Sequence, residues 1–147
     1  MDMKNSFWGG VIGKIVAACL VLAFVLGVVV LCFVHEKHAD ILLDVDEIDI
    51  SDYEYNAENG ILTLKIKLKK SGYVLSDVDS YEKEYGTGKN INTKLMVRFY
   101  ASLSEGDYKA DSDGFYTVTL KIDNEDITSI IQEGKDYNNG TIANLHS

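Results

Sequence analysis

The chain opens with a long run of apolar positions, and segments in which apolar and polar positions alternate follow it. Residues 15–34 contain no charge and no side-chain amide, and fourteen of these twenty residues are Leu, Ile, Val or Phe. As an α-helix the run would rise about 1.5 Å per residue and span roughly 30 Å, the thickness of a bilayer's hydrocarbon core. The pattern therefore predicts one transmembrane helix, which we place at residues 11–34.

We expect this helix to be retained as a signal-anchor and not removed. A secretory signal has an apolar region of about 7–15 residues that ends at small residues, and the best site here, Val30-Leu31-Cys32, does not fit that pattern. Lys4 and Lys14 precede the run and only Lys37 follows it closely. The positive-inside rule then predicts a single-pass protein of the cell membrane, with residues 1–10 cytoplasmic and the C-terminal part extracytoplasmic.

After a polar juxtamembrane collar at residues 35–38, the period of the pattern becomes that of β-strands. Alternation is clear at residues 61–68, 94–101 and 115–122, and Asn59-Gly60 and Asp113-Gly114 supply turn residues before two of these segments. The residues predicted to face the core are Leu62, Leu64, Ile66, Leu68, Leu95, Val97, Phe99, Tyr116, Val118, Leu120 and Ile122.

The remaining segments complete an all-β prediction for residues 39–147. Residues 41–50 alternate with a slip near Glu47, which predicts a bulge or bend between two short strands. Weaker strand patterns occur at 73–78, 127–131 and 141–145. About seven short strands without a helix-period segment predict a single immunoglobulin-like antiparallel β-sandwich, preceded by the transmembrane helix.

Charge and cysteine usage narrow the class of partner. Residues 39–147 contain 21 Asp and Glu against 11 Lys and Arg, a net charge of −10. Such a surface repels nucleic acid and anionic headgroups, so neither is expected as a partner, whereas cationic ligands and basic protein surfaces remain compatible. Both cysteines, Cys19 and Cys32, lie in the apolar run. An exported domain without disulfides favours a bacterial envelope over a eukaryotic extracellular setting.

We assign no catalytic, cofactor-binding or metal-ligating residue. His35-Glu36-Lys37-His38 has its histidines at i and i+3, and not at the i and i+4 of a zinc peptidase helix. The segment 111–114 resembles part of a calcium loop but is better explained as a hairpin turn. A divalent-ion site on the acidic stretch 44–52 remains an alternative. His146 is the only histidine after residue 38, so a carboxylate-based hydrolase is the remaining, distant enzyme hypothesis.

Two groups of residues are candidates for contacts with a partner. All nine tyrosines lie in residues 39–147, and tyrosine is common at recognition surfaces because it adds contact area at low entropic cost. We select Tyr81, Tyr85 and Tyr108, in segments predicted to be loops, as a contact surface. The small residues Gly9, Gly13 and Ala17 form a stripe that would let a second helix approach closely, as in a homodimer or on a partner helix.

The segments 51–66, 71–73, 98–101 and 114–120 resemble small membrane-anchored β-domain envelope proteins of Gram-positive bacteria. The resemblance implies the same architecture and location, but it brings no activity and no functional residues. We therefore expect a membrane-anchored binding or scaffolding module with a protein or envelope-polymer partner. The alternative is an accessory subunit that packs within a membrane complex through its helix.

Overall fold

The computed structural model describes residues 3–38 and 40–145, and the side chains of residues 9–31 and 40–145. The chain divides into two compact units, residues 1–38 and 39–147. The first unit is one helix, α1, Met3–His38. Its segment Gly9–Leu31 has a mean hydropathy of 2.8 and none of it is buried, so the helix is long and apolar enough to cross a membrane. The helix is longer than the predicted span and includes most of the predicted N-terminal segment and the collar.

Within its described residues, 40–145, the second unit contains eight strands in two open sheets. In chain order they are β1 (Ile41–Leu42), β2 (Ile48–Asn56), β3 (Ile61–Leu68), β4 (Val74–Thr87), β5 (Asn90–Ser102), β6 (Tyr116–Lys121), β7 (Ile127–Glu133) and β8 (Asn139–Asn144). One sheet has the order β2-β3-β6. In the other, β5 is central, with β4 on one edge, β1 and β7 on the other, and β8 beyond β7.

The apolar faces of the two sheets form one core. β3 contributes Leu62, Leu64 and Ile66, all fully buried, and pairs with β6, whose Tyr116 and Val118 belong to the same cluster. The five-stranded sheet adds Leu75, Leu95, Val97, Phe99, Ala101, Ile127, Ile130 and Ala143. The prediction of which residues face inward is confirmed, with Leu68 and Leu120 only partly buried at the margin. A β-sandwich follows from this shared core.

The structure corrects the predicted antiparallel arrangement in one place. β5 and β7 pair in parallel, from Thr93 beside Ile127 to Val97 beside Gln132. All other described strand pairs are antiparallel. Residue alternation shows which face of a strand is buried but not the direction of its neighbour, so the pattern alone could not reveal this pair.

Two local predictions have different outcomes. The predicted bend near Glu47 is confirmed, because a 3₁₀ turn at Val45–Glu47 separates β1 from β2. The segments of Tyr81 and Tyr85, which we predicted to be loops, instead belong to β4, which pairs with β5 as far as Thr87 beside Asn90. The hairpin turn therefore lies at residues 88–89, where Gly88 has a φ of 66° that favours glycine.

Candidate functional site

The outer face of the five-stranded sheet carries its own cluster of side chains. Since Leu95, Val97 and Phe99 face the core, Met96 and Arg98 face outward. Met96 pairs with Tyr81 of β4 and with Ile131 of β7, and it is fully buried despite lying on the outer face. Tyr85 closes over it, with 3.9 Å between the tyrosine hydroxyl and the Met96 Sδ. This face is therefore packed, and its side chains are held in place.

Arg98 is held by contacts on several sides. Its guanidinium forms an ion pair with Asp79 of β4, and the hydrogen bond within this pair is the main reason that the pKa of Arg98 is raised. The guanidinium carbon also lies 5.0 Å from the centre of the Tyr81 ring, a cation–π distance. The Arg98 Nε is buried and has no hydrogen-bond partner in the part of the chain that the structure describes. A buried donor without a hydrogen-bond partner is energetically costly.

A carboxylate lies beside this arginine. Glu133, at the end of β7, is only 9% exposed, and its Oε2 accepts a hydrogen bond of 2.7 Å from the Tyr81 hydroxyl. That hydrogen bond, together with burial and the negative charge of Glu133, raises the pKa of Tyr81 to about 12. Tyr81 therefore stays protonated and keeps Glu133 oriented throughout the physiological range.

The Tyr81–Glu133 hydrogen bond leads to a prediction about alkaline pH. The folded state holds the Tyr81 proton more tightly than the unfolded chain, whose tyrosine pKa is about 10, so this stabilisation is complete below pH 10 and is lost as the pH rises toward 12. In Tyr81→Phe we expect the tyrosinate absorbance titration to lose the component that titrates at the highest pH. The free energy of unfolding of this variant should fall less steeply between pH 10 and 12 than that of the wild type. Tyr53→Phe, on β2, is the control, and an unchanged late component in Tyr81→Phe would contradict the assignment.

The loop after Glu133 has an unusual backbone conformation. Asp136 and Tyr137 have φ values of 51° and 60°, and consecutive non-glycine residues seldom adopt this left-handed region. Hydrogen bonds from the Gly134 N–H to the Asn138 carbonyl and from the Asn138 N–H to the Lys135 carbonyl close the loop. The Tyr137 side chain is 82% exposed. Strain of this kind persists where the surroundings impose it, often at functional sites.

Neighbouring segments anchor the loop. The Lys135 ammonium lies 3.5 Å from a Glu47 oxygen, and Lys70 binds the other oxygen of that carboxylate at 3.0 Å. The pKa of Glu47 is lowered, chiefly by the hydrogen bond that it accepts from the Asp44 N–H and also by the two lysines. Gly134 has no room for a side chain, because a Cβ there would lie 2.3 Å from the Asp44 Oδ1. The loop is therefore fixed against the 3₁₀ turn.

These elements enclose an open cavity of about 370 Å³. Arg98 comes from β5 and Tyr81 from β4, Glu133 ends β7, and the strained loop and Leu42 of β1 complete the lining. The residues that line the cavity are Leu42, Tyr81, Arg98, Glu133, Gly134, Lys135, Asp136 and Tyr137. Aromatic, charged and backbone groups meet here, the combination found in ligand sites that hold a partner by a few oriented polar contacts.

The structure brings only two of the three residues predicted to form a contact surface onto the same face. Tyr81 lines the cavity and Tyr85 lies on the same face of β4, so both occupy a strand and not a loop. Tyr108, in the segment after β5, is partly buried against the core, and burial together with Asp77 and Asp107 raises its pKa. Three residues that line the cavity, Arg98, Glu133 and Tyr137, were not among the predicted site residues. The sequence contained one signal for Glu133, its position directly after the mainly apolar strand segment Ile130-Ile131-Gln132. A charged side chain beside a buried strand needs a partner.

The predicted helix-packing residues lie on α1. A Cβ built on Gly9 or on Gly13 would meet nothing within 4 Å, and Ala17 is exposed. The stripe is therefore open, and its use by a second helix stays a prediction.

Three residues of the acidic segments have structural roles. Asp44 caps the 3₁₀ turn and Glu47 pairs with lysines, while Asp111 accepts hydrogen bonds from the backbone of Asp113 and Phe115 and shapes the turn before β6. Within residues 9–31 and 40–145, no group of three or more His, Cys, Asp or Glu is arranged to hold a metal ion. The predicted juxtamembrane collar at residues 35–38 and His146 lie outside the described side chains.

The fold and the site together define a class of chain, a β-sandwich with a polar cavity on its outer sheet face and an apolar N-terminal helix long enough to cross a membrane. Comparisons with protein-family models, with curated proteins and with solved structures found no match to this chain.

Proposed function

We propose that the chain is a single-pass membrane protein whose β-rich unit is a binding or scaffolding module on the extracytoplasmic side. Lys4 and Lys14 before the apolar run, against Lys37 close after it, support a cytoplasmic N-terminus. We propose further that the sandwich is of the immunoglobulin-like kind, which its two open sheets and shared core support. Domains of this architecture serve many functions, so the function rests on the site and not on the fold.

The exposed Tyr137 on its strained, anchored loop beside the cavity is the observation that carries the proposal. An 82% exposed aromatic ring contributes nothing to the core, while its backbone conformation costs on the order of 1–3 kcal/mol per residue. A contact surface accounts for both facts, because tyrosine is a frequent anchor in recognition. The partner is a protein or an envelope polymer that reaches the outer face of the sheet.

The test uses the full-length protein, extracted from its own membranes in mild detergent after brief cross-linking and weighed by native mass spectrometry. We expect the wild-type chain to carry its partner and Tyr137→Ser to lose most of it. Tyr53→Ser is the matched control, because Tyr53 is 45% exposed but lies in the three-stranded sheet. If Tyr137→Ser recovers the same complex as the wild type, this site is not the contact surface.

A second candidate function is that of an accessory subunit, and the open glycine stripe of α1 favours it. In that case the helix would pack in a membrane complex or against a second copy of itself. Gly9→Leu combined with Gly13→Leu would then abolish recovery of the complex, while Tyr137→Ser would not. The reverse result excludes the accessory-subunit function.

A further inference from the structure

The charges that line the cavity are balanced, which is unusual for a unit with a net charge of −10. Arg98 and Lys135 are the two cations of the lining, and Glu133 and Asp136 are the two anions. Each cation also pairs with an anion outside the lining, Asp79 for Arg98 and Glu47 for Lys135, and Glu47 pairs with a second cation, Lys70. Counted with these partners, the group has three cations and four anions, so the cavity is close to charge balance, in contrast to the rest of the acidic surface.

The hydrogen-bonding groups of the cavity are held in place by neighbouring side chains, but some of their donor and acceptor positions have no partner among these contacts. Tyr81 occupies one oxygen of Glu133, and Asp79 binds one terminal nitrogen of Arg98. A carboxylate has about four acceptor positions and a guanidinium has five N–H donors, so both groups can still bind a ligand. Acceptors and donors held side by side are complementary to hydroxyl groups, which both donate and accept.

From these observations we infer that the cavity binds one or two rings of a neutral, hydroxyl-rich saccharide, the repeating unit of an envelope glycan. This inference rests on the proposed binding function and names its ligand class. The exposed Tyr137 ring would stack on the apolar C–H face of a sugar ring, while Glu133 and Arg98 bind its hydroxyls. The volume of about 370 Å³ is near the lower end of ligand cavities, roughly 300–1,000 Å³.

A peptide fits these observations less well. Peptide grooves use apolar pockets or an open strand edge for side chains and main-chain hydrogen bonds, whereas Leu42 is the one aliphatic side chain in the lining. A basic peptide would be drawn to the acidic surface in general and would gain nothing from a charge-balanced cavity. Peptide binding is therefore an alternative that the experiment below distinguishes from saccharide binding.

The experiment uses the full-length protein in a polyoxyethylene detergent, because detergents with sugar headgroups would compete for the site. The probes are chitotetraose and cellotetraose as neutral glycans, tetragalacturonate as an anionic glycan, and pentaglycine as a peptide. We expect saturation-transfer NMR to show transfer to at least one neutral glycan, strongest at the ring protons of one face. Binding of tetragalacturonate alone, or of pentaglycine alone, would overturn the inference.

Variants separate stacking from a general effect on the fold. Tyr137→Ala should weaken neutral-glycan binding about tenfold, the loss of one aromatic stacking contact, and Tyr137→Phe should retain it. Tyr53→Ala should bind like the wild type. If no neutral glycan binds while recovery of the membrane complex still depends on Tyr137, the saccharide inference fails and the proposed function stands. If neither depends on Tyr137, both fail.

Discussion

Replacing Val21 and Val25 with lysine should release the chain from membranes. Both valines lie near the middle of the apolar segment and are exposed on the helix surface. Each lysine at the centre of a membrane helix costs about 2.5–3.5 kcal/mol of insertion free energy, so the pair costs roughly 5–7 kcal/mol. The fourteen Leu, Ile, Val and Phe residues of the run contribute at most about 4–8 kcal/mol. Insertion of the double variant is then close to neutral.

The measurement is alkaline carbonate extraction of membranes from cells that express each chain. The wild type should remain in the pellet and the double lysine variant should move largely to the supernatant. Val21→Ala with Val25→Ala is the matched control and should stay in the pellet, because alanine changes the hydropathy only slightly. A double lysine variant that still resists extraction would show that α1 is not what holds this protein to the membrane.

The second large effect is expected from Phe99→Ala in the core. Phe99 is fully buried in the cluster that joins the two sheets. Removal of a buried phenylalanine ring costs about 3–5 kcal/mol, a large part of the roughly 5–15 kcal/mol that stabilises a domain. We expect denaturant unfolding of the full-length protein, followed by far-ultraviolet circular dichroism, to move to much lower denaturant concentration.

The control is Phe115→Ala, because it makes the same change of amino-acid type at a less buried position. Phe115 is only partly buried, and the ammonium groups of Lys65 and Lys67 lie 4.7 and 5.0 Å from its ring centre. Its loss should cost about 1–2 kcal/mol, the burial of part of one ring and its cation–π contacts. Equal destabilisation by the two substitutions would contradict the core that we describe.

The strands that were predicted well are those whose local sequence pattern reflects their position in the fold. β3 and β6 each have one face in the core and one in solvent, so apolar and polar residues alternate over their whole length. Turn residues precede both strands, and Gly60 is required in its turn because it has a φ of 66° and a Cβ would lie 2.3 Å from the Ile122 carbonyl. Such signals need no knowledge of the rest of the chain.

β4 was predicted only in part because its second half has no apolar face. Residues 82–87 are mostly exposed and three of the six are charged, and they form a strand because β5 supplies hydrogen-bond partners along their whole length. The same limit applied to Met96, which is buried by Tyr85 on the face that alternation assigned to solvent. Neither contact produces a periodic pattern of apolar and polar residues in the sequence.

The candidate site was missed for a related reason, since strand pairing creates it. Arg98 and Glu133 are 35 positions apart in the sequence, and the parallel pairing that sets Val97 beside Gln132 brings them next to each other. Tyr81 then joins from β4 through its pairing with Met96. Tyr81 was predicted to be a contact residue because it is a tyrosine in a segment expected to be a loop, which is not the structural reason for its place in the site.

The parallel pair of β5 and β7 also determines the order in which this unit can assemble. The hairpins β2–β3 and β4–β5 join neighbouring segments, so they can form as soon as residues 48–102 are available. β7 must then return from the other sheet, and β8 can add only after it. Such non-local pairing is slow because the entropy of closing long loops is lost before its contacts form. No proline is present in the 147 residues, so prolyl isomerisation adds no further delay. In a chain that is synthesised from its N-terminus, the cavity is therefore completed late, after β7 has paired and with only β8 still to add.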